Sequence, residues 1–336
     1  MKIFGKSLDR EIAVVAEIGV NHEGDPAAAS RLLQLAADTG VDAVKFQSYT
    51  PERYASASDP ERLARVSRFA LDESAHRRLA AEAAELGVAF FSTPLTEDWV
   101  DRLSPMVPAY KIASGDLTFE PVIRAAARSG KPVILSTGLG TIEEIDAAIG
   151  WVRSEIGTAP LTERLILMHC VSAYPTPMNE ANIRAIPFMR DRYGLYVGYS
   201  NHVIGPEACW GAIALGATVL EVHMTDQKAN RTFRDHELSF EPDELRDLVG
   251  QVTRIQASLG SYDKQRMPSE TGNLIAVRKG VVAARDLDAG AVLTESDLMY
   301  ARPAREFPAA DLHVLIGRKL HTARRGGELI ARQDIE

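Results

Sequence analysis

Short, almost uninterrupted apolar runs recur along the chain, each followed by a longer stretch with helical spacing. The runs are IAVVAEIG (12–19), DAVKFQSY (42–49), VAFFSTP (88–94), AYKIASG (109–115), PVILST (132–137), RLILMHCVS (164–172), YVGYSN (196–201) and VLEVHMT (219–225). Such continuous hydrophobicity is what a strand covered on both faces requires, as in a parallel sheet. Between the runs, AAASRLLQLAADTG sets Leu32, Leu33, Leu35 and Ala36 at helical spacing before Gly40, and SAHRRLAAEAAELG ends at Gly87. Thr141 and Glu144 have the spacing of a capping box. Other helical stretches close at Gly130, Gly157, Gly194, Gly216 and Gly260. Glycine just past a helix end accepts the left-handed conformation that stops it. Eight strand–helix units over residues 1–260 predict an α/β fold, a (β/α)8 TIM barrel. The competing open sheet would call for GxGxxG after its first strand, and the chain reads VNHEGD there. Residues 261–275 are polar and read as a linker. Residues 276–336 alternate short apolar stretches with turns, predicting a small β-rich unit at the lower edge of independent stability.

Composition narrows the class. The net charge of −8 argues against a general nucleic-acid binder, and residues 276–336 carry +1, so the body is the acidic part. Hydrophobic residues at 46% and charged residues at 25% fit an ordinary globular protein. Cys170 and Cys209 both lie in apolar stretches and read as reduced core thiols. The N-terminus is charged where a secretion signal needs an apolar run, and no apolar stretch is long enough to span a bilayer; the expectation is a cytoplasmic protein.

Function in a barrel sits at the C-terminal ends of the strands, and here those ends are polar. Lys45 and Gln47 share one face of the second strand, and Lys111 repeats the lysine two strands on. A barrel strand has no edge from which a lysine could reach solvent. Two cations in one mouth, among Thr93, Ser114, Ser136, Ser172 and Ser200, suit a phosphate or carboxylate group. The other reading pairs the lysines with structural carboxylates. The Ser136–Thr137–Gly138 turn offers backbone N–H groups to the same anion. His202 follows the seventh strand and His223 ends the eighth; either alone reads as a core histidine, but the pair on neighbouring strands could share a divalent cation. His169 and His22 stay open between core and site. Glu17, Asp116, Glu221 and Asp235 are carboxylates within reach of the mouth, with Glu221 read first as a salt-bridge partner. The sum is metal-assisted chemistry on a phosphorylated carboxylate.

AEIGVNHEGD, VKFQSY, FSTP, AYKIASGD, ILSTGLGT, HCVSAYPTP, GYSNH and EVHMTD, in this order, resemble the sialic acid synthase (N-acetylneuraminate synthase) family. The tail VVAARDLDAGAVLTESDLMYARP resembles its C-terminal antifreeze-like (SAF) domain. The resemblance implies a transferase reaction in which phosphoenolpyruvate, an open-chain amino sugar and water give a nonulosonic acid and phosphate. N-acetylmannosamine is the default acceptor, and a divalent Mn²⁺ or Mg²⁺ the cofactor. It implies His202 and His223 as metal ligands, and Lys45, Thr93, Lys111, Ser114, Ser136, Ser172 and Ser200 at the phosphoenolpyruvate positions. Glu17 then handles a proton, with Asp116 and Asp235 as further catalytic carboxylates. Gln47, Tyr174 and Asp235 contact the sugar. Arg302 corresponds to an arginine inserted into a partner's barrel, which implies a domain-swapped homodimer. The chain departs from the family pattern at Ser172 (often Asn), at Asp116 (commonly Glu), in RPAREFP after the last strand, in ANRTFRDHELS, and in 51–70, which lacks an asparagine motif. Together these departures leave the phosphoenolpyruvate half secure and the sugar half open.

Two further acceptor classes are open: precursors of legionaminic or pseudaminic acid or a specialised-metabolite sugar, and a sugar phosphate as in other phosphoenolpyruvate aldolases. The latter calls for an additional basic cluster, and the strand ends show none. A non-catalytic binding protein would be expected to lose a lysine or a metal histidine, and both kinds are present.

Overall fold

The computed structural model describes residues 1–335, which divide into two units, Met1–Gly260 and Ser261 onward. The first opens with a hairpin, β1 (Lys2–Ile3) and β2 (Lys6–Ser7). Eight parallel strands then close into a barrel: β3 (Ala13–Gly19), β4 (Ala43–Ser48), β5 (Ala89–Pro94), β6 (Tyr110–Ile112), β7 (Val133–Ser136), β8 (Leu165–His169), β9 (Tyr196–Asn201) and β10 (Val219–His223), with β10 pairing back onto β3. The predicted architecture is therefore the observed one. The run at 164–172 outlasts its strand, because β8 stops at His169 and the following residues turn into the mouth.

The helices are α1 (Pro26–Ala37), α2 (Pro51–Tyr54), α3 (Pro60–Phe69), α4 (Glu73–Glu85), α5 (Asp98–Leu103), α6 (Glu120–Arg128), α7 (Ile142–Glu155), α8 (Ala185–Tyr193), α9 (Glu207–Ala214), α10 (Asp235–Leu238) and α11 (Pro242–Leu259). Thr141 Oγ1 accepts from the Glu144 N–H while Glu144 accepts from the Thr141 N–H, so the expected capping box starts α7. α2 and α3 form a lobe inserted between β4 and α4. Val66 and Phe69 bury one stripe of α3 against Val20, Tyr49 and Leu95.

Strand alternation decides which side chains see the interior. Phe90 meets His76 of α4 outside the barrel, so Phe91 points inward, where Phe4 of the hairpin turn packs on it at 4.7 Å between ring centres. The hairpin thus plugs the N-terminal end, with Ile3 and Leu8 joining the core. Two-residue strands are too short to show a period, and the sequence gives no sign of this plug. Gly198 lies where an added Cβ would come within 2.3 Å of Met168 Sδ, so glycine makes room for methionine in the packed interior.

In the second unit β11 (Gly280–Ala283) pairs antiparallel with β12 (Leu298–Ala301). Val281, Leu287, Leu293, Leu298, Phe307, Leu315, Leu320 and Ile330 form its own core. The repeated sequence scheme becomes a repeated turn: Arg285 donates to buried Asp297, and Arg324 to buried Asp334. Residues 261–275 were expected as irregular linker. They instead contain a 3-10 turn, Pro268–Asn273, in which Glu270 caps the Met267 N–H, and lead into α12 (Leu274–Val277); α13 (Leu312–Leu315) follows later.

Candidate active site

A cavity of about 1050 Å³ opens at the C-terminal ends of the barrel strands. Its floor is built by inward positions on seven of the eight barrel strands: Glu17 from β3, Lys45 and Gln47 from β4, Thr93 from β5, Lys111 from β6, Ser136 from β7, Ser200 from β9, and Glu221 and His223 from β10. Ser114, Asp116, Ser172, Tyr174, His202 and Asp235 join from the loops that follow. Every site residue expected in the barrel is thus in one cavity. Arg302 belongs to the second unit, exposed just after β12.

The two lysines are 4% and 3% exposed, so each needs a partner. Lys45 Nζ lies 2.7 Å from Glu17 and 3.5 Å from Glu221, and donates to Thr93 Oγ1 at 3.1 Å. Lys111 Nζ donates to Ser136 Oγ at 2.6 Å and lies 3.7 Å from Glu221. The structure shows the second reading, lysines matched by carboxylates, with both residues lining the mouth. Burial pushes Glu221 up, but the two ammonium groups outweigh it and hold the carboxyl down at about 2. Glu17 has Lys45 alone within ion-pair distance, with Gln47 donating to it at 3.3 Å and Lys111 acting from farther off; burial and the Glu221 charge win, and its pKa rises to about 7. Lys111 is lowered by burial despite Glu221, whereas burial of Lys45 is outweighed by its two carboxylates and its pKa rises.

Beside this floor, His202 and His223 stand with ring centres 5.4 Å apart. His202 Nδ1 is 2.7 Å from the Val171 carbonyl, which can only accept, so Nδ1 carries the proton and Nε2 keeps its lone pair. His223 Nδ1 is buried without a hydrogen-bond partner. Burial lowers His202 to about 4 and His223 well below its usual range, so both rings are neutral, the form that ligates metals. Among the described residues no cluster of three or more His, Cys, Asp or Glu side chains could hold a metal, so any cation here would rest on this pair plus substrate or water oxygens.

A small cradle lies past the ends of β6, β7 and β8. An added Cβ at Gly138 would fall 2.5 Å from Ser172 Oγ, 2.7 Å from Ser114 Oγ and 2.9 Å from Cys170 Sγ. The Gly138 N–H donates to Ser114 Oγ, and Ser172 Oγ is buried without a partner. The expectation of N–H donors from this turn needs correction at Thr137, whose N–H is spent on the Met168 carbonyl in the barrel ladder. Asp116 shares this side; burial, opposed by Lys111, raises it to about 6, and Oδ2 has no hydrogen-bond partner.

On the remaining side, Tyr174 packs on His202 at 4.2 Å, and Arg234 lies over the tyrosine ring at 4.8 Å. Asp235, raised by burial against the pull of Arg234, starts α10. The loop before it is fixed by Arg231, which bridges both Asp226 oxygens at 2.7 and 2.8 Å and reaches Glu23 at 3.4 Å. His169 is resolved as structural: in register with Tyr199 and on the outer face, it binds the Ala181 carbonyl at 2.9 Å. His22 lies outside the cavity, where its Nδ1 accepts from the Gly24 N–H.

The sequence reading missed several lining residues: Cys170, assigned to the core, and Arg53, Arg62, Arg65, Phe233 and Arg234. For Arg62 and Arg65 a signal existed. Positions 62, 65, 66 and 69 share one helical face, so two arginines interrupt the apolar stripe of α3.

Comparison with known proteins agrees with this barrel and its polar mouth. Residues 32–264 match the NeuB family and residues 278–336 the SAF domain. The chain belongs to the NeuB family and carries a SAF domain after its barrel. It is 36% identical over 323 residues to the N,N'-diacetyllegionaminic acid synthase of Campylobacter jejuni, covering 92% of this chain and 96% of that one. It is 31% identical to the N-acetylneuraminate-9-phosphate synthase of Homo sapiens, covering 91% and 88%. The crystal structure of N-acetylneuraminic acid synthetase from Leptospira borgpetersenii, in complex with citrate, superposes with a TM-score of 0.73 at 32% identity over 78% of this chain and 90% of that one. Among the described residues, no helix is long and apolar enough to cross a membrane.

Proposed function

We propose that the protein is a nonulosonic acid synthase, a transferase joining phosphoenolpyruvate to the aldehyde carbon of an open-chain amino sugar, with N-acetylmannosamine as the default acceptor. The observation that carries this reading is the convergence of two buried lysines, two neutral histidines and buried carboxylates in one cavity. The names of the relatives support the same chemistry. Lys45, Thr93, Lys111 and Ser136 bind the anionic ends of phosphoenolpyruvate, with Ser114, Ser172 and Ser200 completing the polar wall. C3 of phosphoenolpyruvate attacks the aldehyde carbon, water adds at C2, and the C2–O bond to phosphate breaks, giving the 2-keto acid and inorganic phosphate. Glu17, with its raised pKa, holds or yields a proton beside the reacting carbons. Gln47, Tyr174 and Asp235 orient the sugar, and Asp116 adjusts charge on the phosphate side. His202 and His223 would hold a divalent cation, Mn²⁺ or Mg²⁺, which when bound supplies polarisation of the aldehyde oxygen. The orphaned Nδ1 of His223 and the free lone pair of His202 fit such an ion. A homodimer whose copies exchange C-terminal units, delivering Arg302 to the neighbouring barrel, and a cytoplasmic location belong to the same proposal.

The test mixes protein, Mn²⁺ and phosphoenolpyruvate with a panel of amino sugars and measures phosphate release and 2-keto acid. Lys45→Ala is expected to raise KM for phosphoenolpyruvate about tenfold or more while moving the sugar KM much less. His223→Ala is expected to abolish metal-dependent turnover. Phosphate release without any sugar, or a Lys45→Ala effect confined to the sugar, contradicts the proposal.

A further inference from the structure

The turn after β3 carries three polar side chains, Asn21, His22 and Glu23, that stand outside the cavity and take no part in the proposed reaction. Asn21 is buried, and its amide nitrogen reaches across the seam where β3 meets β10. Nδ2 donates to the Met224 carbonyl at 2.9 Å and to Ser239 Oγ at 3.0 Å. A backbone carbonyl can only accept, so the amide fits in one orientation alone. Ser239 is buried too and passes the contact on, its hydroxyl donating to the Asp235 carbonyl at 2.6 Å. A hydroxyl has one hydrogen, so accepting from Asn21 and donating to Asp235 uses it in a single sense.

Both ends of this relay reach the site. Met224 follows His223, and its N–H donates to the Glu17 carbonyl at 2.9 Å. The residue after His223 is thus held through its N–H by β3 and through its carbonyl by Asn21. Asp235 is the other end. Its carboxyl lines the cavity, yet Oδ1 has no hydrogen-bond partner and Arg234 comes only to 3.4 Å. α10 is four residues long and has no side-chain cap. The Asp235 carboxyl is therefore aimed by its backbone, and Ser239 fixes that backbone. A second route from the turn is weaker: Arg231 meets Glu23 at 3.4 Å with both side chains partly exposed, where an ion pair gains little. The turn itself is firmly seated, because a Cβ added at Gly24 would collide with the Arg68 carbonyl at the end of α3. Resting on the synthase reading above, we propose that Asn21 and Ser239 are positioning residues. Through two hydrogen bonds in series they set the Asp235 carboxyl relative to Glu17 and His223, and so fix how the acceptor sugar lies against the reacting carbons. Neither touches substrate. A misplacement of about 1 Å at reacting groups costs about a hundredfold in rate, so one hydroxyl outside the cavity is enough to matter.

The experiment compares wild type with Ser239→Ala and Asn21→Ala. The assay holds Mn²⁺ and phosphoenolpyruvate with N-acetylmannosamine or a 2,4-diacetamido hexose, whichever the wild type uses better. The second readout is hydrogen exchange at the His236, Glu237 and Ser239 N–H groups, which donate within the turn that carries Asp235. Ser239→Ala is expected to lower kcat/KM for the sugar about tenfold or more and to move KM for phosphoenolpyruvate less than about twofold. Exchange at the three N–H groups is expected to rise about fivefold in each variant, with β8 keeping the wild-type rate. Ser239→Ala deletes a single oxygen and carries the test if Asn21→Ala does not fold. A loss carried by the phosphoenolpyruvate KM, an unchanged sugar kcat/KM, or unchanged exchange in Ser239→Ala overturns the proposal. A wild type that joins phosphoenolpyruvate to neither sugar sinks the synthase reading for these acceptors. Faster exchange would then still uphold the placement of Asp235 by Ser239, and unchanged exchange would overturn it.

Discussion

Glu17 and Glu221 come from adjacent strands, face the same ammonium group, and shift in opposite directions. Glu221 lies between two lysines and takes up a Ser200 hydroxyl, so its charge is well supported. Glu17 has one lysine and a negative neighbour, so a proton is easily kept. Residue identity alone does not distinguish them; the count of cations within a few ångströms does. Asp116 offers a cleaner test because its surroundings are simpler. Its pKa rises from the ordinary 3.8 to about 6 in the fold. A carboxyl that binds its proton more tightly when folded adds stability below its unfolded pKa, and that contribution is lost as pH rises through the folded value. Asp116→Asn is therefore expected to leave Tm nearly unchanged near pH 4 and to raise it by roughly 2 °C or more near pH 8. Equal shifts at both pH values, measured by thermal unfolding, would mean the carboxyl titrates normally.

The hairpin plug and the inserted lobe occupy opposite ends of the barrel and serve different purposes. The plug works through packing. Leu8 is 3% exposed and part of the main core, so Leu8→Ala should cost about 2–4 kcal/mol of stability by denaturant unfolding, with KM for phosphoenolpyruvate unchanged. A changed KM at constant stability would mean that the two barrel ends are coupled. The lobe works by lining the mouth with α3. Neither element was legible in the sequence as what it is, whereas the eight strands and the glycine stops were. Lys45 and Gln47 could be placed because a polar pair at two-residue spacing inside an apolar strand fixes parity. His169 could not, since LILMH is apolar on both faces and leaves open which parity looks inward; its neighbour Met168, in register with Ser136, is the inward one. Arg62 and Arg65 went unassigned because helical spacing reports a face without saying what lies opposite. That the lobe folds back across the strand ends depends on contacts of Val66 and Phe69 with residues distant in sequence.

The molecule as a whole consists of a barrel holding the chemistry and a SAF unit with its own core. The proposed exchange between copies makes a prediction that needs no structure of a dimer. If each barrel takes Arg302 from the other copy, mixing Lys45→Ala with Arg302→Ala protein under subunit exchange puts both defects in one site and none in the other. Random pairing then restores about a quarter of wild-type turnover from two weakly active preparations. If each chain supplies its own Arg302, every site stays defective and no activity returns. The self-matched floor has a consequence for which solutes such an assembly would notice. Glu17 and Glu221 are tethered rivals of any incoming anion, present at the high effective concentration of an intramolecular group. Chloride, acetate and other small singly charged solutes must outbid a resident for one ammonium and gain little by it. A ligand with two anionic ends engages Lys45 and Lys111 together, so the barrel discriminates by valence against the bulk electrolyte before any shape is read.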